Sequence, residues 1–306
     1  MEILYFFESI RIPVLNELML LITRFGEETA LLVIALVVFW CVDKRHGYYI
    51  LGVGLLGTMA NQVLKLLCRI PRPWVLDQNF TILEEAREAA DGYSFPSGHT
   101  QTAVGTFGVL AVTTKHKALR VICIVLAVLV PISRMYVGVH TLSDVAVGAA
   151  MALALVFLLK KVVCGNHGKY IPVMLAVMVG VSVAFMLFVE LWPFPADTDG
   201  ENLASGVKNA YTMLGCTVGL LLCYVLDKKY IRFSVQAVWW VQVLKVVLGL
   251  AAVLLVKEGM RQPLDALFAG HMAARAVRYF LIVMVAGALW PLSFGKLARL
   301  GMKKGE

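Results

Sequence analysis

Long apolar runs separated by short polar connections make up most of this chain. A helix needs about 20 largely apolar residues to cross a bilayer, and the runs predict nine such helices, at residues 27–42, 47–67, 98–114, 119–136, 142–160, 170–191, 206–226, 236–256 and 274–292. This pattern predicts an all-α, polytopic transmembrane helical bundle. The composition agrees, because 60% of the residues are hydrophobic and 16% are charged, whereas about a quarter of a soluble domain is charged.

The segment 1–26 departs from this pattern. Charged residues, among them Glu2, Glu8 and Glu17, interrupt its apolar residues every few positions. It has neither a basic leading region nor a small-residue cleavage site, so it is not typical of a signal peptide. We expect residues 1–26 to form an amphipathic segment that lies in the membrane interface.

The basic residues are concentrated in alternate connections. Fifteen of the 28 Lys and Arg residues lie in five such segments, whereas the connection 193–205 contains none and is acidic. By the positive-inside rule the basic segments face the cytoplasm. The N-terminus and residues 68–97, 134–141 and 257–273 are then extracytoplasmic, and the C-terminus is cytoplasmic. This placement explains the net charge of +8 without a nucleic-acid partner.

The six cysteines show no spacing typical of a disulfide framework. They lie in or beside apolar runs, or singly at the ends of predicted helices, as packing residues do. Together with the lack of a recognisable signal peptide, this favours a multi-pass protein of a bacterial plasma membrane.

Three polar stretches lie where predicted helices end on the outer side. They read "KLLCRIPRP" (65–73), "YSFPSGHT" (93–100) and "SRMYVGVHTLSD" (133–144). A charged side chain at a bilayer centre costs roughly 2.5–3.5 kcal/mol, so charges placed in and beside apolar helices indicate a function. Because all three stretches are predicted on one side, one pocket can collect them.

The cations in these stretches predict an anionic ligand. Lys65, Arg72 and Arg134 would repel one another in a low-dielectric pocket unless a bound polyanion neutralised them, and phosphate suits the planar fork of arginine. Ser97 and Gly98 precede the third predicted helix, where backbone amides form an anion site. A glycine there also lets the main chain approach a ligand closely.

Two histidines add groups that could perform chemistry on a phosphate. One imidazole can attack phosphorus while the other protonates the leaving oxygen. Asp144 follows His140 by four residues, which would place both on one face of a helix. A carboxylate at that distance could hold the imidazole in one tautomer.

These three stretches together resemble the signature segments of the type 2 phosphatidic acid phosphatase superfamily, with every signature position filled in order. That superfamily includes lipid phosphatases, isoprenoid-pyrophosphate phosphatases, glucose-6-phosphatases and vanadium haloperoxidases. The resemblance implies that His140 is the nucleophile and forms a phosphohistidine, that Asp144 is its partner, and that His99 is the general acid. It further implies a phosphate-binding set made of Lys65, Arg72, Ser97, Gly98 and Arg134. It implies no metal, and we expect no cofactor.

The resemblance also suggests a division of the chain. The six-span core of the superfamily would correspond to residues 27–191, after the interfacial segment 1–26. Residues 192–306 would add three spans, and the resemblance gives no role for them.

Simpler explanations exist for several of these residues taken singly. Lys65 and Arg72 could be lysine and arginine side chains that snorkel from the end of a helix, and a lone histidine is usually a satisfied core residue. Asn61 and Gln62 are expected to hydrogen-bond between helices. Ser133 would cap a turn.

Two outer segments lie outside the signature stretches. We expect loop 74–95 to cover the site and help to select the substrate, with a short helix at 82–90, although its acidic residues could simply keep it solvated. Segment 257–275 is expected to be a solvated loop, and the alternative is that some of its charges flank the substrate.

The sequence therefore predicts an integral membrane phosphatase that hydrolyses a lipid phosphomonoester or pyrophosphate at the outer leaflet. Its partners would be the lipid phosphate substrate and membrane lipids. Undecaprenyl pyrophosphate is the first candidate substrate, and phosphatidic acid, phosphatidylglycerophosphate and a sphingosine-phosphate-like lipid remain open. The alternatives are a transporter or an inactive binding protein for an organic or lipid phosphate, but transporters place their sites near the bilayer midplane between repeats, and no repeat is visible.

Overall fold

The computed structural model describes residues 1–88, 90 and 92–300. All regular secondary structure in this part of the chain is helical, which confirms the predicted all-α class. The helices are α1 (Glu2–Ser9), α2 (Pro13–Arg24), α3 (Glu28–Cys41), α4 (Lys44–Cys68), α5 (Pro73–Leu76), α6 (Gly98–Thr113), α7 (Lys117–Tyr136), α8 (Leu142–Cys164), α9 (Ile171–Leu191), α10 (Gly200–Leu226), α11 (Trp239–Gly259), α12 (Arg261–Leu267), α13 (Ala273–Met284) and α14 (Phe294–Leu300).

The described residues contain seven helical stretches that are long and apolar enough to cross a membrane. These stretches are Lys44–Leu76, Lys117–Tyr136, Leu142–Cys164, Ile171–Leu191, Gly200–Ile231, Trp239–Leu267 and Ala273–Arg299. The chain is therefore a multi-pass membrane protein, as the hydrophobic pattern predicted.

The two remaining predicted spans contain shorter helices. Helix α3 has 14 residues and helix α6 has 16. In α6 the polar side chains of Gln101, Thr102 and Thr106 are buried inside the protein. A helix enclosed by protein need not present an apolar surface to lipid, so α6 can contain these polar residues.

The chain divides into two compact units, and the first consists of residues 1–32, 53–161 and 192–206. In this unit α1 and α2 pack against α7. Leu4 is buried in one cluster with Phe80, Met135 and Val145. The segment 1–26 thus forms two helices rather than one amphipathic helix, since the second starts at Pro13, and proline favours the first position of a helix. Its position in the membrane interface stays a prediction.

The predicted short helix at 82–90 is wrong. The described part of this loop contains only a 3₁₀ turn, Glu84–Ala86, and the four-residue helix α5, which the sequence did not predict. The loop instead bonds to its neighbours: the Leu83 amide donates to the Val137 carbonyl at 3.1 Å, and the Ser94 amide donates to the Ile70 carbonyl at 2.8 Å. Ala86 is also buried with Tyr136 and Val139, and such tertiary packing outweighs the local helical preference of the sequence. Of the loop residues, 89 and 91 lie outside the described part.

The second unit consists of residues 33–52, 162–191 and 207–306. Polar bonds between its helices stabilise it, as is common in membrane proteins. The indole of Trp40 donates to the carbonyl of Ala286 at 2.9 Å, and the hydroxyls of Ser182 and Thr217 lie 2.8 Å apart. The tail 301–306, which holds two of the lysines counted above, lies outside the described residues.

Candidate active site

The centre of the candidate site is His140, in the short connection between α7 and α8. Its side chain is buried. Nη1 of Arg72 lies 3.0 Å from Nε2 of His140, and Nδ1 of His140 lies 3.4 Å from Oδ2 of Asp144. Arginine can only donate, so Nε2 accepts and is assigned as unprotonated, while Nδ1 carries the hydrogen and faces the carboxylate. The predicted pairing of His140 with Asp144 is therefore present in the structure.

His140 is held as a neutral imidazole by its surroundings. Burial lowers its pKa well below the usual 6.5, and the positive charges of Arg72, Arg134 and Lys65 lower it further. Burial disfavours the charged form of any base, and nearby cations act in the same direction. A neutral imidazole has a free nitrogen lone pair, which a nucleophile requires.

Asp144 is fixed by three neighbouring groups besides His140. Its Oδ2 accepts a hydrogen bond from the hydroxyl of Ser94 at 2.6 Å and from the amide of Thr141 at 2.8 Å. Its carbonyl accepts from the amide of Ser97 at 3.0 Å. These bonds connect the second and third signature stretches, since Ser94 and Ser97 belong to one and Asp144 to the other. The sequence analysis did not assign Ser94, and its nearness to "PSGH" was the only signal.

The "PSGH" stretch begins helix α6. Ser97 is the N-cap residue, and its hydroxyl oxygen accepts from the amide of Thr100 at 3.4 Å. A Cβ added at Gly98 would have only Oδ1 of Asn61, at 4.0 Å, within contact range among the described residues. The main chain at Gly98 is therefore open to close approach, as predicted for an anion-binding turn.

His99 lies next to the same group of cations. Its imidazole lies close enough to interact with the positive charges of Arg134, Arg72 and Lys65. Its Nε2 is buried and has no hydrogen-bond partner among the described residues. Buried polar atoms are nearly always paired, so this nitrogen suits a ligand that approaches from the side of the cations.

Arg134 is the most deeply buried cation of the three, with 0% of its surface exposed. Its Nη1 donates to the hydroxyl of Thr23 at 2.8 Å, and its Nε and Nη2 have no partner within the described part of the chain. Sequence reasoning missed Thr23, because nothing in the spacing links helix α2 to the end of α7. The cost of burying an arginine with open donors is large, which favours an anionic ligand here.

Lys65 and Arg72 are held by main-chain oxygens. Lys65 donates to the carbonyl of Tyr93. Arg72 donates from Nε to the carbonyl of Gly92 at 3.0 Å and from Nη1 to that of Val139 at 3.1 Å. Both side chains are buried, so they do not snorkel to the surface. The three predicted cations thus lie around His99 and His140, near the buried carboxylate of Asp144.

Asn61 supports the site rather than a helix pair. Its Nδ2 donates to the carbonyl of Pro96 at 3.3 Å, and its side chain is buried. The expected helix-to-helix bond is therefore wrong for Asn61, because the "PSGH" turn, not another helix, lies within reach of its amide.

The loop between α5 and α6 forms one wall of the site. Ala86 is buried in a cluster with Tyr136, Val137 and Val139, directly before His140. The last residues of this loop, Gly92 and Tyr93, provide carbonyls that accept hydrogen bonds from Arg72 and Lys65. In segment 257–275, which belongs to the second unit, Arg275 donates to the hydroxyl of Thr212 at 2.7 Å. The proposed contact of that segment with substrate stays a prediction.

Comparison with known proteins agrees with this geometry. Residues 46–167 match the family described as the PAP2 superfamily, and residues 211–304 match its "PAP2 superfamily phosphatase, transmembrane extension". The second match covers most of the C-terminal helices to which the sequence analysis gave no role.

Curated relatives carry phosphatase names. The chain is 35% identical over 164 residues to phosphatidylglycerophosphatase B of Bacillus subtilis, which covers 49% of this chain and 76% of that protein. It is 32% identical over 139 residues to undecaprenyl-diphosphatase of Sulfolobus acidocaldarius, and the match covers 45% of this chain and 66% of that protein. It is 28% identical over 147 residues to undecaprenyl-diphosphatase BcrC of Bacillus subtilis, and the match covers 47% of this chain and 73% of that protein. No solved structure matches the chain significantly.

Proposed function

We propose that this chain, which belongs to the PAP2 superfamily, transfers the terminal phosphate of a lipid to His140 and then to water. As a PAP2 phosphatase it is a membrane phosphoric ester hydrolase, and this superfamily is metal-independent. The observation that carries the finer proposal is the placement of His140 between Arg72 and Asp144, at 3.0 and 3.4 Å. This placement orients one unprotonated ring nitrogen and fixes the other.

The first step would be attack of Nε2 on phosphorus. The N–P bond forms as the bond from phosphorus to the leaving oxygen breaks. His99, protonated once the bound phosphate offsets the neighbouring cations, donates its proton to that oxygen. Nδ1 of His140 becomes part of a cationic ring, which the carboxylate of Asp144 stabilises. The product is a phosphohistidine together with a lipid alcohol or a lipid monophosphate.

The cations would serve this step by neutralising charge on the oxygens around phosphorus. Arg72 has a particular role, because its Nη1 donates to the nitrogen that must attack. A substrate phosphate oxygen is a stronger acceptor for arginine than a neutral imidazole. Binding of substrate would therefore draw the guanidinium onto the phosphate and release the lone pair of His140.

The second step would return the enzyme to its starting state. His99, now neutral, accepts a proton from water as the water oxygen attacks phosphorus. The N–P bond breaks and inorganic phosphate leaves.

The substrate class follows from the relatives and from the charge pattern. The named relatives act on phosphatidylglycerophosphate and undecaprenyl diphosphate, and both lipids carry a terminal phosphate that the three cations could hold. We propose undecaprenyl pyrophosphate as the first substrate and phosphatidylglycerophosphate as the second. The basic connections predict a plasma membrane protein whose site faces outward, with loop 74–95 selecting the headgroup.

The test is phosphate release by the purified full-length protein in detergent with EDTA present. The panel would contain undecaprenyl pyrophosphate, phosphatidylglycerophosphate and phosphatidic acid, and its rank order would identify the substrate class. His140→Ala should abolish release, whereas His116→Ala, at an exposed histidine before α7, should not.

A radiolabelled terminal phosphate would test the intermediate directly. Rapid acid-free quenching should trap labelled wild-type protein whose label is stable in base and labile in acid. Labelling of the His140→Ala protein to the level of the wild type would contradict a phosphohistidine at His140.

A further inference from the structure

A second basic cavity lies in the second unit and does not contain any residue of the candidate active site. It has a volume of about 420 Å³. Three chain segments meet there: the start of α4, the turn before α9, and the end of α10 with the residues that follow. The charged side chains that line it are Lys44, Arg45, Asp227, Lys228 and Arg232.

The cations exceed the carboxylates in this cavity. Lys44 is paired with Asp227, with Nζ 2.7 and 2.8 Å from its two carboxylate oxygens. Arg45 is paired with Asp43, which lies beside the cavity, at 3.1 Å. Lys228 and Arg232 form no ion pair among the described residues, so the cavity keeps an excess of two positive charges after both pairs are counted.

The paired residues give the cavity a fixed frame. Asp227 also accepts from the amide of Phe233 at 3.2 Å, and the ammonium of Lys44 lies 3.6 Å from the centre of the Phe233 ring. Gly168, at a φ of +77°, precedes α9, and a Cβ there would lie 3.3 Å from Cδ of Arg45. The glycine therefore lets the arginine side chain lie against this turn.

Tyr48 supplies an independent sign that a polar ligand belongs here. It lines the cavity, and only 3% of its surface is exposed. Its ring is fixed by edge contacts with Phe39 and Tyr224, at centroid distances of 5.2 and 5.6 Å. Its hydroxyl is buried and has no hydrogen-bond partner within the described part of the chain. A buried hydroxyl is rarely left unpaired, and beside a cationic excess its natural partner is an anion.

We propose that this cavity binds a phosphate group that does not belong to the substrate, and that Tyr48, Lys228 and Arg232 contact this group. The group could come from an anionic phospholipid or from a soluble phosphate. The phospholipid is favoured, because basic pockets between helices on the cytoplasmic side suit anionic headgroups, and the segments around this cavity are among those predicted to face the cytoplasm.

The experiment titrates the purified full-length protein in detergent with phosphatidylglycerol and, separately, with phosphatidylcholine of the same acyl chains. Native mass spectrometry counts the bound lipids. The test variants are Lys228→Gln combined with Arg232→Gln, and Tyr48→Phe. Lys229→Gln is the matched control, because Lys229 is an exposed neighbour that does not line the cavity. Both charge variants should keep the thermal stability and the phosphatase activity of the wild type.

We expect the wild type and Lys229→Gln to prefer phosphatidylglycerol, and the double variant to lose roughly tenfold in affinity for it. Tyr48→Phe should lose affinity several-fold. His140→Ala should bind as the wild type does, which separates this site from the active site and from the proposed function.

A soluble ligand would give a different result. In that case inorganic phosphate would raise the melting temperature of the wild type more than that of the double variant, while phosphatidylglycerol binding would be the same in both. Equal binding of the two lipids in the wild type, combined with equal stabilisation of wild type and double variant by phosphate, would overturn the proposal.

Discussion

Ser94→Ala should slow catalysis without weakening substrate binding. The hydroxyl of Ser94 donates to Oδ2 of Asp144 at 2.6 Å, and this oxygen is the one that faces Nδ1 of His140. A hydrogen bond to a charged group contributes roughly 1.5–3 kcal/mol. The amide of Thr141 still holds the carboxylate at 2.8 Å, so we take the lower end of that range. Because 1.36 kcal/mol corresponds to a tenfold change in rate, kcat should fall about tenfold.

The assay is steady-state phosphate release with the best lipid of the panel. Ser94 touches none of the three cations in the contacts described, so KM should stay within about twofold while kcat falls. Ser182→Ala is the matched control, since Ser182 is also a buried serine whose hydroxyl donates to a carbonyl, that of Val179, at 2.8 Å. It should lose stability but keep kcat. An unchanged kcat for Ser94→Ala, or a loss that lies entirely in KM, would refute the role of Ser94 in positioning Asp144.

Three further predictions concern other parts of the site. Thr23→Val removes the acceptor of Arg134 Nη1 at nearly constant volume. The unpaired donor should lower the free energy of unfolding by about 1–3 kcal/mol, and the variant should be inhibited less by inorganic phosphate. A wild-type free energy of unfolding together with wild-type inhibition would contradict this. Gly98→Ala should leave the melting temperature unchanged, because its Cβ would meet only Oδ1 of Asn61 at 4.0 Å, but should reduce phosphatase activity at least about tenfold if the main chain contacts phosphate; full activity would exclude that contact. Because the pKa of His140 is lowered in the folded protein, the unfolded chain binds a proton below about pH 6.5 that the folded chain does not. The stability of the wild type should therefore fall as the pH drops from 7 to 5.5. Melting curves at each pH should show a smaller fall for His140→Gln.

The sequence indicated which charged residues belong to the candidate site, but not which residues contact them in the structure. Lys65, Arg72, Arg134 and Asp144 could be predicted because a charge beside an apolar helix is costly and must have a reason. Ser94 and Thr23 could not, since small hydroxyl residues are common in membrane helices and loops, and their partners lie far away in sequence.

The same limit explains the errors in secondary structure. The composition of residues 82–90 favours a helix, but Ala86 is buried with Tyr136 and Val139, and no local signal reveals partners so distant. Helix α6 was predicted at the correct position, although it is short for a span, because most of its residues after Thr102 are apolar. Local pattern therefore located the helices, while long-range contacts decided the shape of the loop at the site.

The way in which the cations are held has a consequence for catalysis. Arg72 and Lys65 donate to the carbonyls of Gly92, Val139 and Tyr93, and these neutral oxygens orient the two side chains without cancelling their charge. A carboxylate in the same place would satisfy the donors and also cancel the charge. Carbonyl acceptors fix the side chains and leave their charge in place, so these bonds preorganise the cations for the charge that develops on a phosphate in the transition state. Asp144 does not compete for them, because its Oδ2 is engaged by Ser94 and Thr141 and faces the imidazole of His140.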